Sequence, residues 1–247
     1  MLQVAWDEEP DGERTGVVVL TLDRPERRNA VDHATLLELA DAQRRASTAR
    51  VLVLTGSGPV FCAGADLTGV EDAEFARALG LVLRGFPALT IPTIAAIDGS
   101  ALGAGAQLAV ACDLRVAAPG SRFGIPAAKL GLVVDHWTVR RLGQELGWAT
   151  ARAMLLAAET YDAEALHRAG SVHRLGTLAD ALAWARQVAR LAPLTIAGHK
   201  LALERLAPEP DVDELVEAAR AMAWASADAS EGRRAFLEKR PPQFEGR

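Results

Sequence analysis

The chain has 247 residues, half of them hydrophobic and 24% charged, with a formal net charge of −5. That length suits one large domain, or one domain with a small appendage, of ordinary globular composition. The mild acidic balance, without any lysine-rich run, argues against nucleic acid or an anionic membrane as partner.

Two cysteines, Cys62 and Cys112, lie in apolar segments and match neither a disulfide framework nor zinc-ligand spacing. The acidic start Met-Leu-Gln-Val-Ala-Trp-Asp-Glu-Glu is unlike a signal peptide, and no apolar run reaches the length of a membrane span. A reducing cytoplasm is the expected location.

Val17–Asp23 is β-branched and apolar, a strand ended by Arg24-Pro25. Asp32 caps an expected amphipathic helix running to about Ala46. Val51–Thr55 reads as a buried strand, stopped by Gly56-Ser57-Gly58-Pro59. A helix over about Asp72–Phe86 leads to a strand at Thr93–Ile97, then the Gly99–Gly105 turn, a helix to Cys112 and a strand at Leu114–Ala117. Strands alternating with helices predict crossover units and mostly parallel pairing.

Beyond Leu130 the pattern is helical, over Thr138–Leu146, Ala149–Ala158, Asp162–Ala169, Leu178–Leu191, Thr195–Leu206, Val212–Ala227 and Ser230–Lys239. Thr160 and Asp162 read as caps, and Ser171-Val172-His173 as a strand-like interruption. Ala207-Pro208-Glu209-Pro210-Asp211 is a break. The reading is an α/β core over residues 1–190 and a helical C-terminal portion over 191–247.

The segment Ala101–Asp113 (Ala-Leu-Gly-Ala-Gly-Ala-Gln-Leu-Ala-Val-Ala-Cys-Asp) reads as a glycine-rich turn that opens a helix and leaves main-chain N–H groups free for negative charge. Taken alone, it is equally well a tight turn packed on a strand. Nucleotide and hydrolase signatures are absent: no Gly-Lys-Ser/Thr, no Gly-x-Ser-x-Gly, no His-Glu-x-x-His. Together with Phe61-Cys62-Ala63-Gly64-Ala65-Asp66-Leu67, Arg24–Ala30 and Phe123–Leu132, the segment resembles the crotonase family, the enoyl-CoA hydratases and isomerases. The resemblance covers nearly the whole chain, to Glu238–Phe244.

The resemblance implies a spiral of ββα units with a helical trimerisation portion, a homotrimer or dimer of trimers, and a place in fatty-acid metabolism. The ligand implied is a coenzyme A thioester, acyl-CoA or enoyl-CoA, with no metal or other cofactor. By motif, the amides of Ala65 and Ala104 form an oxyanion hole for the thioester oxygen. The nucleotide end is expected at Arg28 and Ala30, with Arg27 as a second phosphate candidate, and at Ala63, Asp66 and Leu67. Phe236 and Lys239 match positions that touch the nucleotide of a neighbouring subunit.

Where the family's hydratases carry two glutamates, this chain has Gln107 and Ala127. An amide orients water but takes up no proton near neutral pH. General acid–base groups each contribute about a hundred- to ten-thousand-fold, so hydration by the usual route is not expected. Asp135, in Val133-Val134-Asp135-His136-Trp137-Thr138, matches a carboxylate used by some isomerases and a dehalogenase. It reads equally as a base for shifting a double bond and as a helix cap; Trp137 lines an acyl pocket or fills core. Three readings stay open: a one-base isomerase, a non-catalytic long-chain acyl-CoA carrier, and a residual hydratase with Gln107 orienting water.

Overall fold

The computed structural model describes residues 1–9, 12–66, 73–205 and 214–243. The chain begins with β1 (Leu2–Glu8), β2 (Arg14–Leu22), α1 (His33–Arg45), β3 (Val51–Gly56) and α2 (Ala73–Ala88). Then come β4 (Thr93–Ile97), β5 (Ser100–Leu102), α3 (Ala104–Ala111), β6 (Leu114–Ala117) and β7 (Arg122–Gly124). Next are α4 (His136–Leu146), α5 (Trp148–Leu156), β8 (Thr160–Asp162), α6 (Ala163–Arg168) and β9 (Arg174–Leu175). Four helices close the order: α7 (Leu178–Ala189), α8 (Pro193–Glu204), α9 (Glu214–Trp224) and α10 (Ala227–Leu237).

The main sheet has the order β1-β2-β3-β4-β6-β9, and a small one the order β5-β7-β8. Only β1 runs antiparallel to its neighbour in the main sheet; β2, β3, β4, β6 and β9 pair in parallel, with Val17 beside Val51 and Val53 beside Ile94. Parallel strands require crossovers, and α1, α2 and α3 follow β2, β3 and β5 in chain order.

Alternation puts Val51 and Val53 on one face of β3, and Leu52 and Leu54 on the other, all fully buried. A strand buried on both faces carries no polar alternation, which is why Val-Leu-Val-Leu reads as an unbroken apolar run. Val17, Val53, Ile94 and Val116 pack against Ala181, Ala185 and Ala189, one stripe of α7 at four-residue spacing.

Contacts divide the chain into two compact units: Met1–Phe123 with Tyr161–Pro208, and Gly124–Thr160 with Glu209–Arg247. The expected boundary at residue 190 falls between α7 and α8, both in the first unit. Lys200 explains the placement of α8: its ammonium donates to the Phe86 and Ile91 carbonyls at 2.9 Å and to Asp113 at 2.7 Å.

β4 and β6 have the expected bounds; the expected helix ends at Asp72, Leu206 and Val212 lie outside the described residues, and the other expected ends shift by a few residues. Some readings need correction. Ser100–Leu102, within the expected Gly99–Gly105 turn, forms β5. Thr160 lies in β8, and Asp162 is the N-cap of α6, its side chain accepting from the Ala165 N–H at 2.6 Å. The strand expected at Ser171–His173 lies at Arg174–Leu175, because His173 is tied to Arg115 one residue before pairing begins. β1 was not anticipated, since Gln3, Val4 and Ala5 of this edge strand are exposed and leave no buried pattern in the sequence. The break at Ala207–Asp211 lies outside the described residues. Among those residues, no helix is long and apolar enough to cross a membrane.

Candidate active site

The loop between β2 and α1 is shaped by Asn29, 1% exposed and in the left-handed region at φ 56°. Asparagine is among the few side chains that tolerate this conformation. Its Oδ1 accepts from the Arg24 N–H at 2.9 Å, and its Nδ2 donates to the Ser57 and Val60 carbonyls at 2.8 and 2.6 Å. Arg28 beside it, at φ 53°, is exposed.

Arg24 ties this loop to the next. Its guanidinium donates to the Ala30 carbonyl at 2.7 Å and to Asp66 at 3.1 Å, and it pairs with Asp32 at 3.0 Å. Burial opposes ionisation of Asp32, but hydrogen bonds from the Thr35 N–H and hydroxyl, with the charge of Arg24, outweigh it and hold the carboxyl below its ordinary range.

Residues 62–66 are bonded alternately to the two sides. Cys62 donates to the Ser100 carbonyl and accepts from the Leu102 N–H, both at 3.0 Å, while Ala63 donates to the Arg28 carbonyl at 3.0 Å. The Val31 N–H donates to the Gly64 carbonyl at 2.9 Å and the Asp66 N–H to the Val31 carbonyl at 2.8 Å. Such a parallel bridge between Val31 and Ala65 uses the groups on either side of Ala65 and turns the Ala65 N–H away from Val31. Gly64, at φ 121°, makes the turn that allows this.

α3 begins at Ala104, with Gly103 at φ 52° as its N-cap and no side chain capping it. Its first intrahelical bond is the Gln107 N–H to the Gly103 carbonyl at 3.0 Å, so the N–H groups of Ala104, Gly105 and Ala106 find no acceptor within the helix. Among the described residues, the Ala65 and Ala104 N–H groups donate to no main-chain acceptor. A Cβ placed on Gly64 would lie 3.9 Å from the Ala104 nitrogen, and one on Gly103 would lie 3.7 Å from the Gly64 Cα. The two peptide segments are therefore neighbours. Gly105 is what lets them approach, since a Cβ there would collide with the Cys62 carbonyl oxygen. Gln107 is 7% exposed on the same helix. Cys62 is fully buried, which pushes its thiol up to about 12.

With this geometry, residues 12–247 match the family model described as enoyl-CoA hydratase/isomerase. The chain belongs to that family. It is 45% identical over 236 residues to a probable enoyl-CoA hydratase of Mycobacterium tuberculosis, covering 93% of this chain and 96% of the relative. It is 36% identical over 251 residues to the 2,3-dehydroadipyl-CoA hydratase of Escherichia coli, covering 94% and 96%. The crystal structure of an enoyl-CoA hydratase/isomerase from Pseudoalteromonas atlantica superposes with a TM-score of 0.87 at 29% identity, covering 99% of each chain. The fold is that of the enoyl-CoA hydratases and isomerases.

Of the site residues expected from the sequence, the first unit brings Arg28, Ala30, Ala63, Ala65 and Asp66 together through Arg24 and Asn29, beside the start of α3. Leu67 lies outside the described residues. Ala104 and Gln107 lie on α3 in the first unit, and the second unit holds Asp135, Trp137, Phe236 and Lys239. Asp135 is the N-cap of α4 and accepts from the Thr138 N–H at 3.0 Å, and Trp137 is buried at 8% exposure. Ala127 lies in a short 3-10 helix, Pro126–Leu130. Phe236, near the end of α10, is 53% exposed, and Lys239 follows it, exposed and at φ 55°. Sequence reasoning left Arg24 and Asn29 without a role; both stand in the quoted Arg24–Ala30 segment, but nothing local says which distant carbonyls they bind.

Proposed function

We propose that this enoyl-CoA hydratase/isomerase family member binds an acyl-CoA thioester with its carbonyl oxygen between the Ala65 and Ala104 N–H groups. The observation that carries the reading is the pair itself: two main-chain donors on adjoining peptide segments, one at a helix N-terminus, with no main-chain acceptor among the described residues. Fixed donors of this kind stabilise the negative charge that develops on the oxygen when a proton leaves the neighbouring carbon. On this reading, Arg28 and the main chain around Ala30, Ala63 and Asp66 take the nucleotide end, joined by Leu67. Phe236 and Lys239 serve the nucleotide of a neighbouring subunit in a homotrimer or dimer of trimers; the exposure of both side chains supports this.

The reaction proposed is a double-bond shift rather than two-glutamate hydration. The Asp135 carboxylate takes a proton from the α- or γ-carbon, charge collects on the thioester oxygen, and the same proton returns at the other carbon. Atoms and charge balance without a second acid. Gln107 and Ala127 supply no proton carrier where the family's hydratases have glutamates, which supports this choice. Capping does not exclude chemistry, because a carboxylate has about four lone-pair directions on two oxygens.

Gln107 and Ala127 also favour a second reading, a long-chain acyl-CoA carrier without catalysis. The names of the relatives support a third, residual hydration with Gln107 orienting the water.

The deciding measurement is the enoyl-thioester absorbance of 2-enoyl-CoA, short- and long-chain, with 3-enoyl-CoA run in parallel. The proposal predicts absorbance gained from 3-enoyl-CoA, lost in Asp135→Asn, with acyl-CoA affinity kept. Rapid loss of 2-enoyl absorbance instead establishes hydration. Binding with neither change establishes the carrier.

A further inference from the structure

All eight residues of α3 are buried, so its dipole is only weakly screened by water. The C-terminal end is met by Arg115, a side chain only 2% exposed. Its NH1 donates to the Cys112 carbonyl at 2.9 Å and the Ala109 carbonyl at 3.4 Å, and its Nε to the Ser171 carbonyl at 2.7 Å. Ala109 belongs to the last turn of α3, and Cys112 is its C-cap. Close by, Asp113 is paired with Lys200 at 2.7 Å, a contact in which the two charges offset each other.

A helix carries about half a negative charge at its C-terminus, and in a dry interior that pole weakens the positive pole at the other end. A guanidinium donating to the last carbonyls covers the negative pole. The positive pole then lies at the Ala104 N–H.

We propose that Arg115 is a positioning residue of the oxyanion site: by covering the negative pole of α3, it strengthens the hold of the Ala104 N–H on the thioester oxygen. This rests on the acyl-CoA reading above. Burying an arginine is costly, and packing alone would be met by an apolar side chain of similar size. The helix is about 12 Å long at about 1.5 Å per residue. A unit charge at that distance, in a medium of effective dielectric about 20, alters the stability of a developing charge by about tenfold.

The test is the infrared carbonyl band of saturated acyl-CoA, carbon-13-labelled at the thioester, free and bound. No turnover is needed. Wild-type protein is expected to lower the bound band relative to free ligand. Arg115→Met should bring it back toward the free position with affinity changed only a few-fold, and Arg115→Lys, which keeps the charge, should retain the wild-type band. Asp113→Asn leaves the Lys200 ammonium unbalanced at the same helix end and should lower the band further, so it decides the matter if Arg115→Met does not fold. Arg115→Met or Asp113→Asn giving the wild-type band overturns the role of Arg115. A wild-type band that does not move on binding overturns the oxyanion reading itself.

Discussion

Gly105 shows how much can rest on a missing methyl group. A Cβ at this position would lie 2.9 Å from the Cys62 Cβ and would run into the Cys62 carbonyl oxygen, so α3 would have to retreat from residues 62–65. We expect Gly105→Ala to fold with a loss of about 1–3 kcal/mol, typical of overpacking, and to weaken acyl-CoA binding more than tenfold in calorimetry. The same contact buries Cys62, and Cys112 is also enclosed; burial pushes both thiols up to about 12. Neither is a nucleophile at neutral pH. A thiol-reactive aromatic disulfide should therefore release no chromophore from the native protein and two equivalents per chain in denaturant.

At the scale of elements, α4 separates capping from chemistry. Asp135 accepts from the Thr138 N–H, and asparagine caps about as well as aspartate. Asp135→Asn should thus leave the unfolding midpoint nearly unchanged while abolishing proton transfer. Asp135→Ala should cost about 1 kcal/mol in denaturant unfolding through loss of the cap. Equal destabilisation by both variants would assign Asp135 a structural part beyond the cap. α9 braces the preceding loop: Trp224 Nε1 donates to the Val133 carbonyl at 3.0 Å, and Glu217 accepts from the His136 N–H at 3.4 Å. These partners lie 81 to 91 residues away from the loop in sequence, too far for any local pattern to announce them.

For the molecule as a whole, stability should depend on pH through His173. Partial desolvation first, and the nearby Arg115 charge second, push its imidazole down from 6.5 to about 4. Its Nδ1 accepts from the Arg115 N–H at 3.1 Å, which requires the neutral ring. The unfolded chain binds this proton first as pH falls, so the contribution is complete above about pH 6.5 and is lost progressively toward pH 4. Because burial of this residue is only partial, the effect should be on the order of 1 kcal/mol or less. Denaturant midpoints for wild type and His173→Gln should diverge across this window; parallel curves would assign the acid sensitivity to other groups.

Much of this protein was legible in the one-dimensional chain. Unbroken apolar runs such as Val51–Thr55 mark strands buried on both faces, Asp32 and Asp135 mark helix starts, and the glycine-rich motifs mark the family, because these signals are local and repeat at the period of the element. Three things came only from tertiary structure. The edge strand β1 exists because β2 offers it a partner from Leu2↔Leu22 to Glu8↔Arg14. α8 lies with the sheet unit because Lys200 reaches Phe86, Ile91 and Asp113. Among the described residues, the Ala65 and Ala104 N–H groups donate to no main-chain acceptor, while the neighbouring main-chain groups of Cys62, Ala63, Gly64 and Asp66 are paired with Ser100, Leu102, Arg28 and Val31. Sequence by itself determined which segments become strands, helices and tight turns, since those choices follow from propensity and periodicity within a few residues. Which polar groups are satisfied by which partners was decided by tertiary structure, because a hydrogen bond pairs atoms that are close in space whatever their separation along the chain.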